Sequence, residues 1–253
     1  MAALRILVGH TGLVGETLKN QIGFDFLYNS KNMETFGDDF PDGCDLYLTC
    51  LPSTKWMINQ STKSKILDCI NCLNIIDILS KKMYNRIILI STIDVYLGSE
   101  IESDEDKEIV NSGIGYGENR LLFEKLVEKE LKYESLKIYR LPALFGEGLK
   151  KNILFDIINN NNLDSINKNS YYQWYNLNRL DSDINQYENE EGLVVNLFTE
   201  PIFTKDIIDN SIGFMSDTPV VYNYKTKFSD SGYIDSSENV MKDILRFIDA
   251  HRG

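Results

Sequence analysis

The chain has 253 residues, 43% of them hydrophobic and 25% charged, which is the length and composition of a globular protein with a sizeable core. Its net charge of −12 argues against non-specific binding to nucleic acid or to an anionic membrane, since both need a basic surface. No apolar run approaches the roughly 20 residues that cross a bilayer, and the N-terminus lacks a signal-peptide pattern, so we expect a cytoplasmic protein.

Strand-like and helix-like segments alternate through the first half of the chain, and this order predicts an α/β fold with a parallel sheet and right-handed crossovers. The predicted elements are the strand Leu4–Val8, the helix Val14–Ile22, the strands Phe24–Tyr28 and Asp45–Leu51, the helix Lys65–Lys82, the strand Arg86–Ser91, the helix Tyr116–Tyr133 and the strand Leu136–Leu141.

The pattern changes after Pro142. An asparagine run at Asn159–Asn162 predicts a loop, and the acidic segment at residues 100–108 predicts a solvated loop. Further strands are predicted at Tyr171–Tyr175 and Leu193–Phe198, and a last amphipathic helix at Glu238–Ala250.

Cysteine and histidine are too few and too scattered to predict a metal site. Cys69 and Cys72 form a CxxC pair inside an apolar, helix-like stretch, and no second pair accompanies them. His10 and His251 are far apart in sequence. We therefore expect no metal and four free thiols, at Cys44, Cys50, Cys69 and Cys72.

A glycine-rich turn joins the first predicted strand to the first predicted helix. Gly9, Gly12 and Gly15 are three residues apart, which allows a tight turn, a close approach of the backbone to a pyrophosphate and close packing of helix on strand. The helix N-terminus then offers its N–H groups to the phosphates. The predicted dinucleotide contacts of this turn are Gly9, Thr11, Gly12, Leu13, Val14 and Gly15.

The end of the second predicted strand should lie near the adenosine ribose. An NAD-binding protein commonly has an acidic residue there, whereas this chain has Asn29, Ser30 and Lys31. A hydroxyl and an ammonium group suit a 2′-phosphate, so these residues favour NADP, with NAD as the alternative. The interpretation that Lys31 is an ordinary surface charge is as good as the interpretation that it contacts the 2′-phosphate.

Four motifs in this order resemble the short-chain dehydrogenase/reductase superfamily, in its extended branch that modifies nucleotide sugars: GHTGLVG at 9–15, ISTIDVY at 90–96, YGENR at 116–120 and YRLPALFGEG at 139–148. The resemblance implies a Rossmann-type doubly wound parallel sheet, with a dinucleotide-binding domain at residues 1–148. A small α/β substrate lobe at residues 149–253 would be interleaved with it.

The resemblance also implies a catalytic group of Thr92, Tyr116 and Arg120. Tyr116 lies 24 residues after Thr92 and at a helix start, while the only Tyr-x-x-x-Lys match, at Tyr133, runs into a strand. Thr92 would hold the reacting oxygen and Tyr116 would protonate it. A lysine usually lowers the pKa of this tyrosine and holds the nicotinamide ribose; Arg120 stands in its place, and we expect it to do both.

The resemblance implies further contacts, some of them outside the four motifs. For the cofactor these are Leu51, Pro52, Leu141 and Pro142, besides Tyr116 and Arg120. Asp94 is as well suited to capping a turn as to substrate contact, and the later aromatic residues are as well suited to the core. The candidate substrate contacts are Asp94, Tyr96, Asn152, Gln173, Trp174 and Tyr175.

The function that these residues imply is NAD(P)-dependent reduction of a 4-keto nucleotide sugar, by hydride transfer from NADPH or NADH. A nucleotide-sugar epimerase with tightly bound NAD needs the same residues, and a non-catalytic dinucleotide-binding protein without the lysine is a third interpretation. Dehydration is disfavoured, because the dehydratases of this superfamily have adjacent acids just after the threonine, whereas this chain has Ile93 and Asp94 there. The resemblance also suggests a homodimer formed through the helices at 65–82 and 116–133.

Overall fold

A six-stranded sheet forms the centre of the first of two units in the chain. The structure is a computed structural model that describes residues 3–110, 113–208 and 213–252. The first unit takes its residues from 1–98, 108–140 and 184–195, and the second from 99–107, 141–183 and 196–253. The boundary expected from the sequence at residue 148 stays a prediction.

The strand order in the central sheet is β2-β1-β3-β4-β5-β9, and the pairs β1–β2, β1–β3 and β3–β4 are parallel. The chain leaves β1 toward β2 and then returns to the other side of β1 as β3, which creates a crevice at the carboxyl ends of these strands. The expected Rossmann-type α/β fold is therefore confirmed. The strands of the sheet are β1 (Arg5–Val8), β2 (Phe26–Tyr28), β3 (Cys44–Leu48), β4 (Met83–Thr92), β5 (Lys132–Leu141) and β9 (Val194–Asn196).

Four helices connect these strands in the first half of the chain. They are α1 (Leu13–Gln21), α2 (Lys55–Ile58), α3 (Thr62–Leu79) and α4 (Tyr116–Glu130). Aliphatic residues of β3 and β4 such as Leu46, Ile87 and Leu89 are buried in one core cluster with residues of α3 and α4. The continuous apolar run of β4 is the sequence signature of such a strand, covered on both faces.

Two helix boundaries differ from the predictions for local reasons. The third helix begins at Thr62 rather than Lys65, because the Ser61 hydroxyl accepts a 3.1 Å hydrogen bond from the Ser64 N–H and caps the helix. The fourth ends at Glu130 instead of Tyr133, since β5 starts at Lys132. Tyr133 therefore lies on β5 and not at the end of the helix where it was predicted.

In the described part of the second unit, short strands and helices surround a separate core. Phe145, Leu154, Trp174 and Ile244 belong to that core. Two strands pair in parallel, and another two pair in antiparallel fashion. Its strands are β6 (Ala143–Phe145) with β8 (Trp174–Asn176) and β7 (Tyr171–Tyr172) with β10 (Ile202–Phe203); its helices are α5 (Ile153–Asn159), α7 (Thr204–Ile207) and α8 (Ser237–His251), while α6 (Leu180–Tyr187) runs from the second unit into the first.

Two sequence expectations for this unit need correction. The predicted strand Tyr171–Tyr175 divides at Gln173 into two strands that pair with different partners. The acidic loop is not simply solvated, because the Glu105 carboxylate accepts hydrogen bonds from the N–H groups of Asn196 and Lys227, at 2.6 and 2.8 Å. The predicted asparagine loop is confirmed, with Asn160 in the left-handed region at φ 51°.

Within the described ranges, no helix is both long and apolar enough to cross a membrane.

Candidate active site

The glycine turn at residues 9–15 follows β1 and requires glycine at two of its positions. Gly9 has φ 100°, and a Cβ there would lie 2.6 Å from the backbone of Thr49. A Cβ on Gly15 would lie 2.1 Å from the Gly9 carbonyl oxygen. The turn therefore keeps its shape only with glycine at both positions, because backbone atoms occupy the space of any side chain.

The N-terminus of α1 is left open by this turn. Gly12 is its N-cap and no side chain caps the first turn, while Thr11 and Gly12 are exposed. The first N–H groups of the helix, at Leu13, Val14 and Gly15, combine with the positive end of the helix dipole. This arrangement fits a pyrophosphate, the group that it was predicted to bind.

The segment after β2 is held by Asn29, which was predicted to contact the adenosine ribose. The Asn29 Oδ1 accepts from the Lys31 N–H at 2.8 Å, and its Nδ2 lies 2.9 Å from the Nε2 of His10 in the glycine turn. The amide nitrogen therefore donates to an unprotonated Nε2. Ser30 and Lys31 are exposed beyond Asn29. Sequence reasoning missed His10 as the residue that ties this segment to the glycine turn.

Tyr116 begins α4 and lies beside the turn that follows β4. A Cβ on Gly117 would lie 2.1 Å from the carbonyl oxygen of Asp94, so the helix start packs directly on that turn. The Tyr116 N–H donates to Asn59 Oδ1 at 3.0 Å. The Tyr116 side chain is buried, with 8% of its surface exposed. The structure thus brings the predicted acid to the carboxyl end of β4, where Thr92 is the last residue.

Thr92 caps the 3-10 turn Ile93–Tyr96. Its Oγ1 accepts a 3.2 Å hydrogen bond from the Asp94 N–H. The hydroxyl proton remains available for donation, which is the role predicted for this residue. The Asp94 carboxylate accepts a 2.8 Å hydrogen bond from Lys55 Nζ on α2.

Arg120 makes a contact that the sequence analysis did not foresee. Its guanidinium donates from Nη1 and Nη2 to the two carboxylate oxygens of Asp68 on α3, at 3.0 and 2.9 Å. Nη2 also donates to the Pro52 carbonyl at 2.9 Å, and the guanidinium carbon lies 4.6 Å from the Tyr116 ring centroid. Both Arg120 and Asp68 are buried.

These contacts correct the expectation that Arg120 faces a ribose. The planar group is bound to Asp68 and Pro52 and is only 5% exposed, so its donors serve the protein interior. Asn119 adds another donor to the same carboxylate, at 2.8 Å from Asp68 Oδ2. Asp68 could have been noticed as one of two acids on α3, with Asp77, but nothing in the sequence indicates its partner.

The pKa of Tyr116 is raised above its ordinary value rather than lowered. Burial is the main cause, and the Asp94 and Asp68 carboxylates act in the same direction. The Arg120 charge and a hydrogen bond with Arg120 lower the pKa but do not outweigh burial. The expected lowering of the Tyr116 pKa by Arg120 is thus present in direction, but burial of the phenol outweighs it.

Tyr96 belongs to a buried polar network instead of a substrate surface. It is fully buried, and its hydroxyl accepts a 2.8 Å hydrogen bond from Arg140 Nη1. Arg140 also binds both carboxylate oxygens of Glu124 on α4, at 3.1 and 2.6 Å. Ser91 completes the network by donating to Glu124 at 2.5 Å. The prediction that Tyr96 contacts substrate is wrong for this reason.

The candidate substrate contacts in the second unit also have structural roles. Gln173 is 1% exposed and bonds to the backbone of Thr199 and Tyr224. Trp174 is 1% exposed, and the fully buried Tyr175 donates to Asp183 at 2.7 Å. The predictions that Gln173, Trp174 and Tyr175 contact substrate are therefore wrong, because all three side chains are buried in the protein interior.

Asn152 requires the same correction. It has φ 108° and its Oδ1 accepts from the N–H groups of Leu154 and Phe155, capping α5, while its Nδ2 donates to the Leu144 carbonyl. Of the further predicted cofactor contacts, Leu141 and Pro142 are buried, Leu51 is half-buried and Pro52 is exposed.

The cysteines are free thiols, as predicted. Burial raises the pKa of Cys50 and Cys72 to about 12, so both stay protonated at neutral pH. Among the described residues, no group of three His, Cys, Asp or Glu side chains could hold a metal ion.

Comparison with known proteins gives a match in structure alone. No family model matches the sequence, and no match was found among curated proteins. A dTDP-4-dehydrorhamnose reductase from Bacillus anthracis str. Ames, solved in complex with NADP, is 15% identical, with a TM-score of 0.73 over 99% of each chain.

Two further solved structures match to a similar extent. The UDP-N-acetylglucosamine 4-epimerase from Bacillus cereus has 15% identity and a TM-score of 0.67, over 99% of this chain and 100% of the other. The enzyme WbmG from Bordetella bronchiseptica, in complex with NAD, has 12% identity and a TM-score of 0.74, over 99% and 96%. The chain has the fold of these enzymes. Since the identities are so low, the similarity shows the fold, and the chemistry must be argued from the site.

Proposed function

We propose that this protein is an NAD(P)-dependent oxidoreductase that reduces a 4-keto nucleotide sugar. The observation that carries the proposal is the position of Tyr116, buried at the start of α4 and packed on the turn that Thr92 caps. That turn follows β4, which pairs in parallel with β3, and β3 pairs in parallel with β1. The turn and the glycine turn after β1 therefore lie at the same end of the sheet, where the strands have their carboxyl ends. Ligands of open α/β sheets bind at the carboxyl ends of the strands.

Thr92 and Tyr116 have different roles toward the substrate oxygen. Reduction of a ketone places negative charge on that oxygen, and a hydroxyl donor such as Thr92 stabilises it. Tyr116 supplies the proton. The phenol is protonated at neutral pH, and the Arg120 charge favours the phenolate that proton transfer leaves, although burial keeps the pKa above its ordinary value.

The glycine turn and the segment after β2 would hold the cofactor, which supplies the hydride when bound. The open N-terminus of α1 would take the pyrophosphate, with the exposed Gly12 allowing the close approach. Ser30 and Lys31 are exposed where the ribose 2′ position should lie, so NADP remains the preferred cofactor and NAD the alternative. The solved neighbours include one complex with NADP and another with NAD.

The test is turnover of NADPH and NADH with a panel of 4-keto nucleotide sugars. Tyr116→Phe should lower kcat by about 10²-fold or more, the usual contribution of a positioned acid, while cofactor affinity is unchanged. Tyr133→Phe is the matched control, because Tyr133 begins the Tyr-x-x-x-Lys match but lies on β5 with its hydroxyl bonded to the Glu128 carbonyl. Equal loss of activity in both variants would contradict the assignment.

An epimerase is the second candidate, since one of the solved neighbours is a UDP-N-acetylglucosamine 4-epimerase and the same residues would serve it. The purified protein decides between the two. Retained NAD that does not exchange favours the epimerase, whereas loosely bound NADPH favours the reductase. If cofactor binds and no substrate of a broad panel reacts, the non-catalytic interpretation is preferred.

A further inference from the structure

The ion pair between Lys55 and Asp94 stands beside the candidate active site and has no role in the proposal above. Lys55 is the first residue of α2, in the connection after β3, and its Nζ lies 2.8 Å from Asp94 Oδ1. The Lys55 side chain is 39% exposed and that of Asp94 is 12% exposed. The pair therefore joins a partly solvated ammonium group to a carboxylate at the end of β4.

Three segments converge on this pair. The start of α4 packs on the Asp94 carbonyl at Gly117. The N–H of Asn59, at the end of α2, donates to the Lys55 carbonyl at 2.9 Å, and the Asn59 side chain accepts from the Tyr116 N–H. A displacement of α2 or of Asp94 would therefore displace Tyr116.

The charges near Tyr116 show what Lys55 offsets. The carboxylates that act on the phenol are Asp94 and Asp68, and the cation is Arg120. Arg120 and Asp68 are paired with each other through two hydrogen bonds. Asp94 is then the remaining negative charge, and Lys55 is bound to it. A carboxylate without a counter-charge would disfavour the phenolate that forms when Tyr116 gives up its proton.

We propose that Lys55 is a positioning residue which, through its ion pair, fixes Asp94 beside Tyr116 and offsets its charge there. Lys55 thereby supplies part of the stabilisation of the Tyr116 phenolate that a lysine at position 120 would give. It acts through Asp94 and not by contact with the substrate. The inference rests on the proposed function for its catalytic meaning, but the pairing can be tested without any substrate.

The test compares Lys55→Met, Asp94→Asn and the double variant with wild type. The readout is the ionised fraction of Tyr116 at pH 10, from the ¹³C resonance of its Cζ, assigned with Tyr116→Phe. We expect Asp94→Asn to move the titration of Tyr116 to lower pH and Lys55→Met to higher pH, each by roughly half a pH unit for a partly screened charge. Lys55→Arg should behave as wild type, and the exposed Lys63→Met is the matched control.

The double variant decides how Lys55 acts. If Lys55 works through Asp94, Lys55→Met should have little further effect in the Asp94→Asn background. An unchanged titration in Lys55→Met, or an equal displacement in both backgrounds, would overturn the inference. In turnover, Lys55→Met should lower kcat several-fold with KM and cofactor affinity unchanged. If the titrations move as expected while no nucleotide sugar reacts, the pairing stands and the proposed function fails.

Discussion

The Arg120 guanidinium and the Asp68 carboxylate face each other in the buried layer between α4 and α3, joined by two hydrogen bonds of 3.0 and 2.9 Å. Bidentate pairs of this kind combine charge with a fixed geometry. Asp68 therefore fixes the guanidinium, and the pKa of Arg120 is raised: burial acts to lower it, but the hydrogen bonds and charges of Asp68 and Tyr116 prevail.

Removing one partner of this pair should destabilise the protein strongly. Arg120→Met or Asp68→Asn leaves a buried group without its counter-charge, which typically costs about 3–5 kcal/mol in the free energy of unfolding. Urea unfolding of each variant measures this. Lys107→Met, which breaks an exposed pair with Glu100, is the control and should leave the unfolding midpoint unchanged. A small effect at both sites would mean that the buried pair is not held as described.

Restoring lysine at position 120 alone should not raise activity. A single ammonium group cannot bind both oxygens of Asp68 and the Pro52 carbonyl, so Arg120→Lys should be less stable and no more active than wild type. Combined with Asp68→Asn, the lysine loses its carboxylate partner and can face the phenol, so the double variant should exceed Arg120→Lys in kcat. Higher activity in Arg120→Lys alone would show that Asp68 does not control this position.

Substitutions in the glycine turn should distinguish effects on stability from effects on cofactor binding. Gly15→Ala should lower both stability and cofactor affinity, because its Cβ would meet the Gly9 carbonyl at 2.1 Å. Gly12→Ala should spare stability, since its Cβ comes no closer than 3.6 Å to that atom, but should weaken cofactor binding by intruding on the pyrophosphate. Gly23→Ala, with nothing within 4 Å, is the neutral control. Fluorescence titration with NADPH and thermal melts measure the two effects.

Alkaline pH should destabilise the fold through buried phenols. Burial raises the pKa of Tyr84, Tyr116 and Tyr139. Because the folded state holds these protons more tightly, their contribution to stability is complete below about pH 10 and is lost as pH rises further. The urea midpoint should therefore fall between pH 9.5 and about 11. In Tyr116→Phe this fall should be shallower than in Tyr171→Phe, which changes an exposed residue.

An apolar face of α3 bears on the expected dimer. Ile66, Ile70 and Leu73 recur at helical spacing on this helix and are 42%, 45% and 48% exposed. A self-association through these residues should be broken by Ile70→Glu, seen as a lower mass in sedimentation. Leu245→Glu, which alters a similarly exposed residue of α8, should leave the mass unchanged. A monomeric wild type would contradict the dimer.

The order of the elements and the glycine turn could be predicted because both depend on local sequence. Glycine spacing reports backbone constraints, and Gly9 and Gly15 have the close contacts that their pattern indicated. The position of Tyr116 at a helix start was also predictable, since a break in hydrophobic pattern precedes it. These features need no knowledge of which distant residues meet.

Partners across the fold could not be predicted in the same way. Asp68 and Arg120 are 52 residues apart, Lys55 and Asp94 are 39 apart, and no sequence spacing implies either pair. The aromatic cluster around Trp174 shows the converse, because stacking surfaces and core residues have the same composition and only burial distinguishes them. Sequence reasoning could therefore propose candidate site residues, but it could not predict the distant residues that hold them in place.

The pairing of Arg120 with Asp68 also constrains how such a site can change over generations. An arginine at position 120 is accommodated in this buried site because Asp68 supplies its counter-charge, and Asp68 without Arg120 would be a buried, unbalanced charge. The effects of substitutions at the two positions should therefore depend on each other. A search for related chains should accordingly ask for Tyr-x-x-x-Arg together with an acid in the preceding helix, since the tyrosine motif alone would dismiss them as defective.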